Sequence, residues 1–190
     1  MKRIVVGVTG ASGAPYALRA LEFLRDTPGV DVDVVFTKTG RLVWSHEIGT
    51  DPKDLGLSIW NPGDYTAPFA SGSARYDGML VVPCSAGSMA RIAHGVSTDL
   101  VSRAADVMLK ERRPLVLVLR ETPLSLIHLR NAELIVQAGG VVMPAAPSFY
   151  SKPRTLEQLV DTVVARALDR LGIDNELVRR WTGLEHIDVE

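Results

Sequence analysis

The sequence predicts an α/β protein, a three-layer α/β/α sandwich around a mainly parallel, Rossmann-like (flavodoxin-like) sheet. Three observations carry that reading. Short runs rich in Val, Ile and Leu recur without polar alternation, as strands buried on both faces do. Helical patterns fall between those runs, so strand and helix alternate along the chain. Turns of small residues, glycine or serine among them, follow two of the runs where a strand hands over to a helix.

The apolar run over residues 4–8 predicts the first strand. Lys2 and Arg3 give it the charge of a signal-peptide start, but the run is too short and passes straight into a glycine turn. That turn, Thr9-Gly10-Ala11-Ser12-Gly13-Ala14-Pro15, opens a helix over 14–25 with Pro15 in the first turn, where proline is tolerated. Its backbone amides face an anion. Glycines are also common there simply as turns, and neither a full G-x-G-x-x-G nor a P-loop is present. Residues 32–36 form a second strand ending at Thr37, and 40–47 a second helix. Residues 50–73 carry Gly, Pro and Asp with little period, which predicts a long loop crossing the carboxyl edge of the sheet.

The third strand, 79–82, leads into Pro83-Cys84-Ser85-Ala86-Gly87-Ser88, a second turn of small residues before a helix over 88–93. A helix over 98–110, a strand over 115–119 and a helix over 124–138 follow. Arg120-Glu121-Thr122-Pro123 reads as the start of the last of these, with Thr122 as cap and Pro123 in the first position. A strand over 141–143 precedes Pro147-Ser148-Phe149-Tyr150. The final helix covers 155–171, where Thr155 and Gln158 have capping-box spacing.

A chain of 190 residues, 46% of them hydrophobic, fits one domain over 1–190, with 172–190 a polar C-terminal tail expected to extend onto a neighbouring copy. The 21 basic and 22 acidic residues nearly cancel, which argues against a nucleic-acid binder held by a broad positive field. The single Cys84 cannot form an internal disulfide, and a reducing cytoplasm fits it best. No Lys, Arg or His flanks it to favour the thiolate, so it reads as a small buried residue. His46, His94, His128 and His186 have no metal-ligand spacing. Nothing approaches the roughly 18 consecutive apolar residues of a membrane span.

The stretch from Ala104 to Leu124 carries the most chemistry, because it brings Lys110, Arg120 and Glu121 to adjacent edges of one parallel sheet. That is an anion site with a proton donor beside it. Arg112 and Arg113 read as solvated helix-end charges. Arg120 and Glu121 instead terminate a strand and point into the crevice where doubly wound sheets bind ligands.

With Gly10-Ala11-Ser12-Gly13 and Phe149-Tyr150-Ser151-Lys152-Pro153, these residues make the chain resemble the flavin prenyltransferases of the UbiX-like family over about residues 1–171. The resemblance implies FMN contacts at Gly10, Ala11, Ser12, Thr37, Ser85, Ala86, Gly87, Ser88 and Arg120. It implies catalytic roles for Ser12, Glu47, Lys110 and Glu121. Dimethylallyl phosphate would meet Tyr65, Arg103, Lys110, Tyr150, Arg166 and Trp181, with no metal. The family commonly has Trp where Tyr65 stands, and Trp181 matches a tail aromatic that covers a neighbour's site.

The implied reaction joins a dimethylallyl group to N5 and then C6 of reduced FMN, and the prenylated FMN would serve a UbiD-like decarboxylase. The implied assembly is a cytoplasmic homo-oligomer, a dodecamer. Two rival readings stand beside it. An FMN-dependent decarboxylase of the same fold would need a catalytic His and Cys pair, and none matches. A non-catalytic flavin carrier would bind FMN without depending on Glu121 or Lys110.

Overall fold

The computed structural model describes residues 1–183. Six strands form one sheet: β1 Lys2–Val8, β2 Val30–Phe36, β3 Ser58–Trp60, β4 Gly78–Cys84, β5 Leu115–Leu119 and β6 Val141–Pro144. Their order is β3-β2-β1-β4-β5-β6, and every neighbouring pair is parallel. The helices are α1 Ala14–Asp26, α2 Lys38–Glu47, α3 Ala86–Ala93, α4 Leu100–Lys110, α5 Leu126–Gln137 and α6 Leu156–Arg170. The expected α/β/α sandwich with a parallel sheet is what forms.

The strands are apolar along their length because both faces are covered. On one face Val6, Val34 and Leu80 pack against Leu21 and Leu24 of α1 and Val164 and Leu168 of α6. On the other, Val5, Met79 and Leu117 meet Val101, Ala104 and Met108 of α4. Small residues set the close approaches. A Cβ at Gly40 would lie 2.4 Å from the carbonyl oxygen of Val8, so α2 can seat against the end of β1 only with glycine there.

Three local expectations are corrected. Residues 50–73 are not an irregular loop over the carboxyl edge. They contain a 3₁₀ turn at Pro52–Leu55 and the edge strand β3, after which the chain descends along α4 towards the amino edge. Leu100 N–H donates to Pro62 O (2.8 Å), Arg103 Nε to Ala70 O (3.0 Å) and Arg113 Nη2 to Gly72 O (2.8 Å), one after another down that path. β3 is too short to show periodicity. It is fixed by side chains instead: Trp60 Nε1 donates to the buried Asp33 Oδ1 (2.7 Å), and its ring meets Phe69 edge-on at 5.8 Å.

Helix α5 starts at Leu126, not behind Thr122. Ser125 is its cap, accepting from His128 N–H (3.3 Å), while Ser125 N–H donates to His128 Nδ1 (3.2 Å). At α6, Thr155 accepts from Gln158 N–H (3.1 Å) as expected, but Gln158 Oε1 accepts from Arg154 N–H (2.8 Å) and the box does not close on Thr155.

As far as Trp181 the tail also makes contacts with its own chain. Ile173 is buried in the core, Asn175 Nδ2 donates to Ala165 O (3.2 Å), and Arg180 makes two 2.8 Å bonds to Asp169. An apolar residue, an amide and a guanidinium, spaced along an otherwise polar stretch, are enough to return it along α6. Residues 184–190, and with them His186, lie outside the described residues.

Candidate functional site

The carboxyl edge gathers the two turns of small residues. In the first, helix α1 begins at Gly13, which has no side chain to cap it. Glu47, the last residue of α2, supplies the missing acceptor: its Oε2 takes Gly13 N–H (2.9 Å) and Ala14 N–H (2.7 Å). The anion that this turn faces is therefore the chain's own carboxylate. The Ser12 hydroxyl also acts to lower its pKa. Burial pushes Glu47 upward, but the Ser12 hydroxyl, the two amides and the Arg120 charge outweigh it and hold the carboxyl below its ordinary range.

A consequence for stability follows from the sign of that shift. A carboxyl whose folded pKa is depressed contributes stability above its unfolded pKa and loses it as pH falls through the folded value. Glu47→Ala should therefore lower stability against urea at about pH 7, and the difference from wild type should shrink towards about pH 3 as the carboxylate protonates. Equal differences at both pH values would show that the carboxylate charge does not hold the turn.

With Gly13 and Ala14 taken, the amides of Gly10, Ala11 and Ser12 make no hydrogen bond among the described residues. In the second turn Ser85 caps α3, its Oγ accepting from Ser88 N–H (3.2 Å). The first-turn amides of Ala86 and Gly87 have no partner one turn back, as at any helix start. Thr37 caps α2 in the same way, accepting from Gly40 N–H (3.0 Å).

The two turns are tied by a residue that sequence reasoning did not single out. Thr9, almost wholly buried, donates its hydroxyl to Pro83 O (2.8 Å) and accepts from Ser85 N–H (2.8 Å). A second unsignalled residue, Arg91, donates to Ser88 Oγ (3.1 Å) from the next turn of α3. A threonine beside a glycine turn carries no signature of its own, and Arg91 sits in an ordinary helical pattern.

Arg120 and Glu121 follow β5 at this same edge. The Arg120 charge acts on both Glu47 and Tyr16, whose phenol is raised by burial and partly brought back by that cation. Ser12, Pro15, Tyr16, His46 and Glu47 line a cleft of about 340 Å³ beside the turn. Glu121 is exposed, and its Oε1 accepts only the neighbouring Thr122 N–H (3.1 Å) among the described residues. Cys84 is fully buried at the end of β4 and burial pushes its thiol up to about 12, which suits a packing residue.

Lys110 does not join this group within one chain. Helix α4 runs opposite to the strands and delivers Lys110 to the edge where β5 begins, whereas Arg120 and Glu121 follow the strand's end. The two positions are separated by the length of the strand, roughly 15 Å. The expectation of adjacent edges is thus corrected: one helix and one parallel strand in succession place their far ends on opposite sides of the sheet. Lys110 pairs with Glu111, and a Cβ at Gly72 would collide with both side chains.

Arg103 lies near the start of α4, bonding Ala70 O and Asp106 Oδ2 (2.8 Å). Tyr65 reaches Ser97 O at 3.4 Å and is half exposed. Arg113 is not a solvated charge: it donates to Gly72 O (2.8 Å) and Ala74 O (2.7 Å) and clamps the descending segment. Beyond β6, Tyr150 and Trp181 meet edge-on with ring centroids 5.7 Å apart, so Trp181 packs against an aromatic of its own chain. Arg166 lies on the exposed face of α6.

A parallel sheet of this order, with two turns of unpaired amides and a cation at its carboxyl edge, is a doubly wound α/β architecture with its candidate ligand crevice at that edge. The Flavoprotein family matches residues 1–168. The flavin prenyltransferase UbiX of Halalkalibacterium halodurans is 45% identical over 189 residues, covering 93% of this chain and 91% of that protein. The crystal structure of AnUbiX (PadA1) in complex with FMN and dimethylallyl pyrophosphate superposes with a TM-score of 0.93 at 45% identity, covering 97% of this chain and 99% of that one. A dodecameric FMN-dependent Ubix-like decarboxylase from Escherichia coli O157:H7 gives 0.92 at 43% identity, covering 95% and 100%. The chain belongs to the UbiX-like flavin prenyltransferase family.

Proposed function

We propose that the chain binds reduced FMN at the carboxyl edge of its sheet and joins to N5 and C6 of that flavin a dimethylallyl group taken from dimethylallyl phosphate. The observation that carries this reading is the convergence there of two amide-lined turns with Ser12, Glu47, Arg120 and Glu121. The free amides of Gly10, Ala11 and Ser12, with Ser85, Ala86, Gly87, Ser88 and Thr37, suit the polar ribityl phosphate, and Arg120 suits an electron-rich flavin ring. A relative of nearly half identical sequence has been crystallised with FMN and a dimethylallyl phosphoester, which supports the same pairing here.

In the reaction the carbon–oxygen bond of the allyl phosphate breaks and its electron pair leaves on phosphate. Closing the ring adds a proton to the allyl chain and removes one each from N5 and C6. Glu121 is the exposed carboxyl at that edge and the acid–base group we assign; Ser12, which lines the cleft beside Glu47, is the hydroxyl through which a proton passes. Lys110, Arg103, Tyr150 and Arg166 stabilise the departing phosphate with fixed donors, and Tyr65 and Trp181 offer aromatic faces to the developing allyl cation.

Because Lys110 and Glu121 lie on opposite edges, a complete site needs a second copy of the chain. A homo-oligomer, as large as a dodecamer, meets that need. The product, prenylated FMN, goes in this reading to a UbiD-like decarboxylase. No helix among the described residues is long and apolar enough to cross a membrane.

The deciding experiment is anaerobic incubation of the protein with reduced FMN and dimethylallyl phosphate, or the diphosphate in a parallel arm, in chelator without Mg²⁺. Mass spectrometry of the released flavin should show FMN heavier by one five-carbon unit. Tight FMN binding with unmodified flavin in both arms would instead favour a carrier.

A further inference from the structure

We propose that the chain carries a second anion site, at the amino edge of the sheet, that takes a phosphorylated ligand of about nucleotide size. A cleft of about 830 Å³ opens there between the ends of α4, α5 and α6 and the start of β6, and Arg112, Arg113 and Arg170 line it. That volume suits a small organic ligand. No Asp or Glu lines the cleft, and neither does Lys110. It lies across the sheet from Ser12, Glu47 and Arg120, and although Leu109 and Arg112 stand next to Lys110 in sequence, none of the residues that the flavin reading employs lines it.

Arginines beside helix C-termini ordinarily offset the helix dipole, and that explanation accounts for part of the cluster. It does not account for all of it. Three helix ends contribute roughly half a negative charge each, and Glu111 Oε2, 3.9 Å from Arg113 Nη2, offsets that guanidinium, so against the full charges of Arg112 and Arg170 an excess of about +0.5 remains. Arg113 is held in place by the carbonyls of Gly72 and Ala74. Among the described residues Arg112 and Arg170 form no side-chain hydrogen bond or ion pair. Their planar guanidinium forks are free for phosphate oxygens.

The backbone at Arg112 gives independent support. Helix α4 ends with Arg112 N–H donating to Leu109 O (3.1 Å) and Arg113 N–H to Met108 O (2.8 Å), and Arg112 itself has φ 54°. That left-handed position after a helix favours glycine, and an arginine there is strained. The hydrogen bonds would be the same with glycine. What arginine adds is its side chain, which faces the cleft. Leu109, Pro114 and Val141 give the cleft an apolar wall for a flat ring, and Gln137 a polar group at its rim.

The test titrates ADP into the FMN-loaded, full-length protein by calorimetry, with Arg112→Gly and Arg170→Gln beside wild type. Wild type should bind ADP saturably, and each variant should bind at least about tenfold more weakly, as expected for loss of one charge-assisted contact. FMN affinity should be unchanged in both. Arg112→Gly should also melt at a higher temperature than wild type, because glycine relieves the strained position, so its lost binding cannot come from unfolding. Absence of saturable binding at millimolar ADP, or binding undiminished in both variants, overturns the proposal.

Discussion

Glu121→Gln is expected to slow prenyl transfer by roughly 10²–10⁴-fold while FMN affinity and melting temperature stay near the wild-type values. Gln keeps the shape and the carbonyl acceptor for Thr122 N–H, the one hydrogen bond that Glu121 makes among the described residues. It removes only the proton. Because the side chain is exposed at the end of β5 and supports no packing, the fold should not register the change. The measurement is single-turnover formation of prenylated flavin under anaerobic conditions, with FMN affinity determined on the same sample. Wild-type turnover in this variant would assign proton transfer to another group, with Ser12 and Glu47 next in line.

Lys110→Ala should be equally inactive alone, and mixing it with Glu121→Gln should restore activity. The reason is geometric: within one chain the two side chains stand on opposite edges of the sheet, so under the proposed function a site that uses both draws them from different copies. In a mixed assembly some sites combine Glu121 from a Lys110→Ala chain with Lys110 from a Glu121→Gln chain, and those sites are intact. Native mass spectrometry would establish that the variants had co-assembled after dissociation and refolding together. Co-assembly without any return of activity would place both residues at a site within one chain, against the shared-site reading.

The fold was legible in the sequence because the signals were long: apolar runs in β1, β2, β4 and β5 and the helices between them. Elements whose cause is not local were hidden. β3 is three residues long and depends on Asp33, a residue of β2, for its hydrogen bond to Trp60. Ser125 caps α5 although Thr122-Pro123, three residues earlier, carries the more conventional start signal. At the site, the turns and Arg120-Glu121 could be read from strand ends. The partnership of Glu47 with Gly13 and Ala14 could not, since it joins residues more than thirty positions apart and nothing in either segment announces the other. Lys110 shows the reverse case, a residue marked by its neighbours in sequence but carried to the far edge by the direction of α4.

The margins of the sheet constrain how copies of this chain can associate. On one side the outermost strand offers only Ser58–Trp60, and on the other the last strand closes at Pro144, which has no N–H to donate. Neither margin presents a long row of free main-chain groups, so continuous strand addition from chain to chain is discouraged at both ends. Assembly must then proceed through side chains on helices and connecting segments, surfaces whose chemistry can be tuned residue by residue. A multi-subunit particle built that way has a closed stoichiometry open to selection, and it avoids the unlimited growth that strand-to-strand pairing invites.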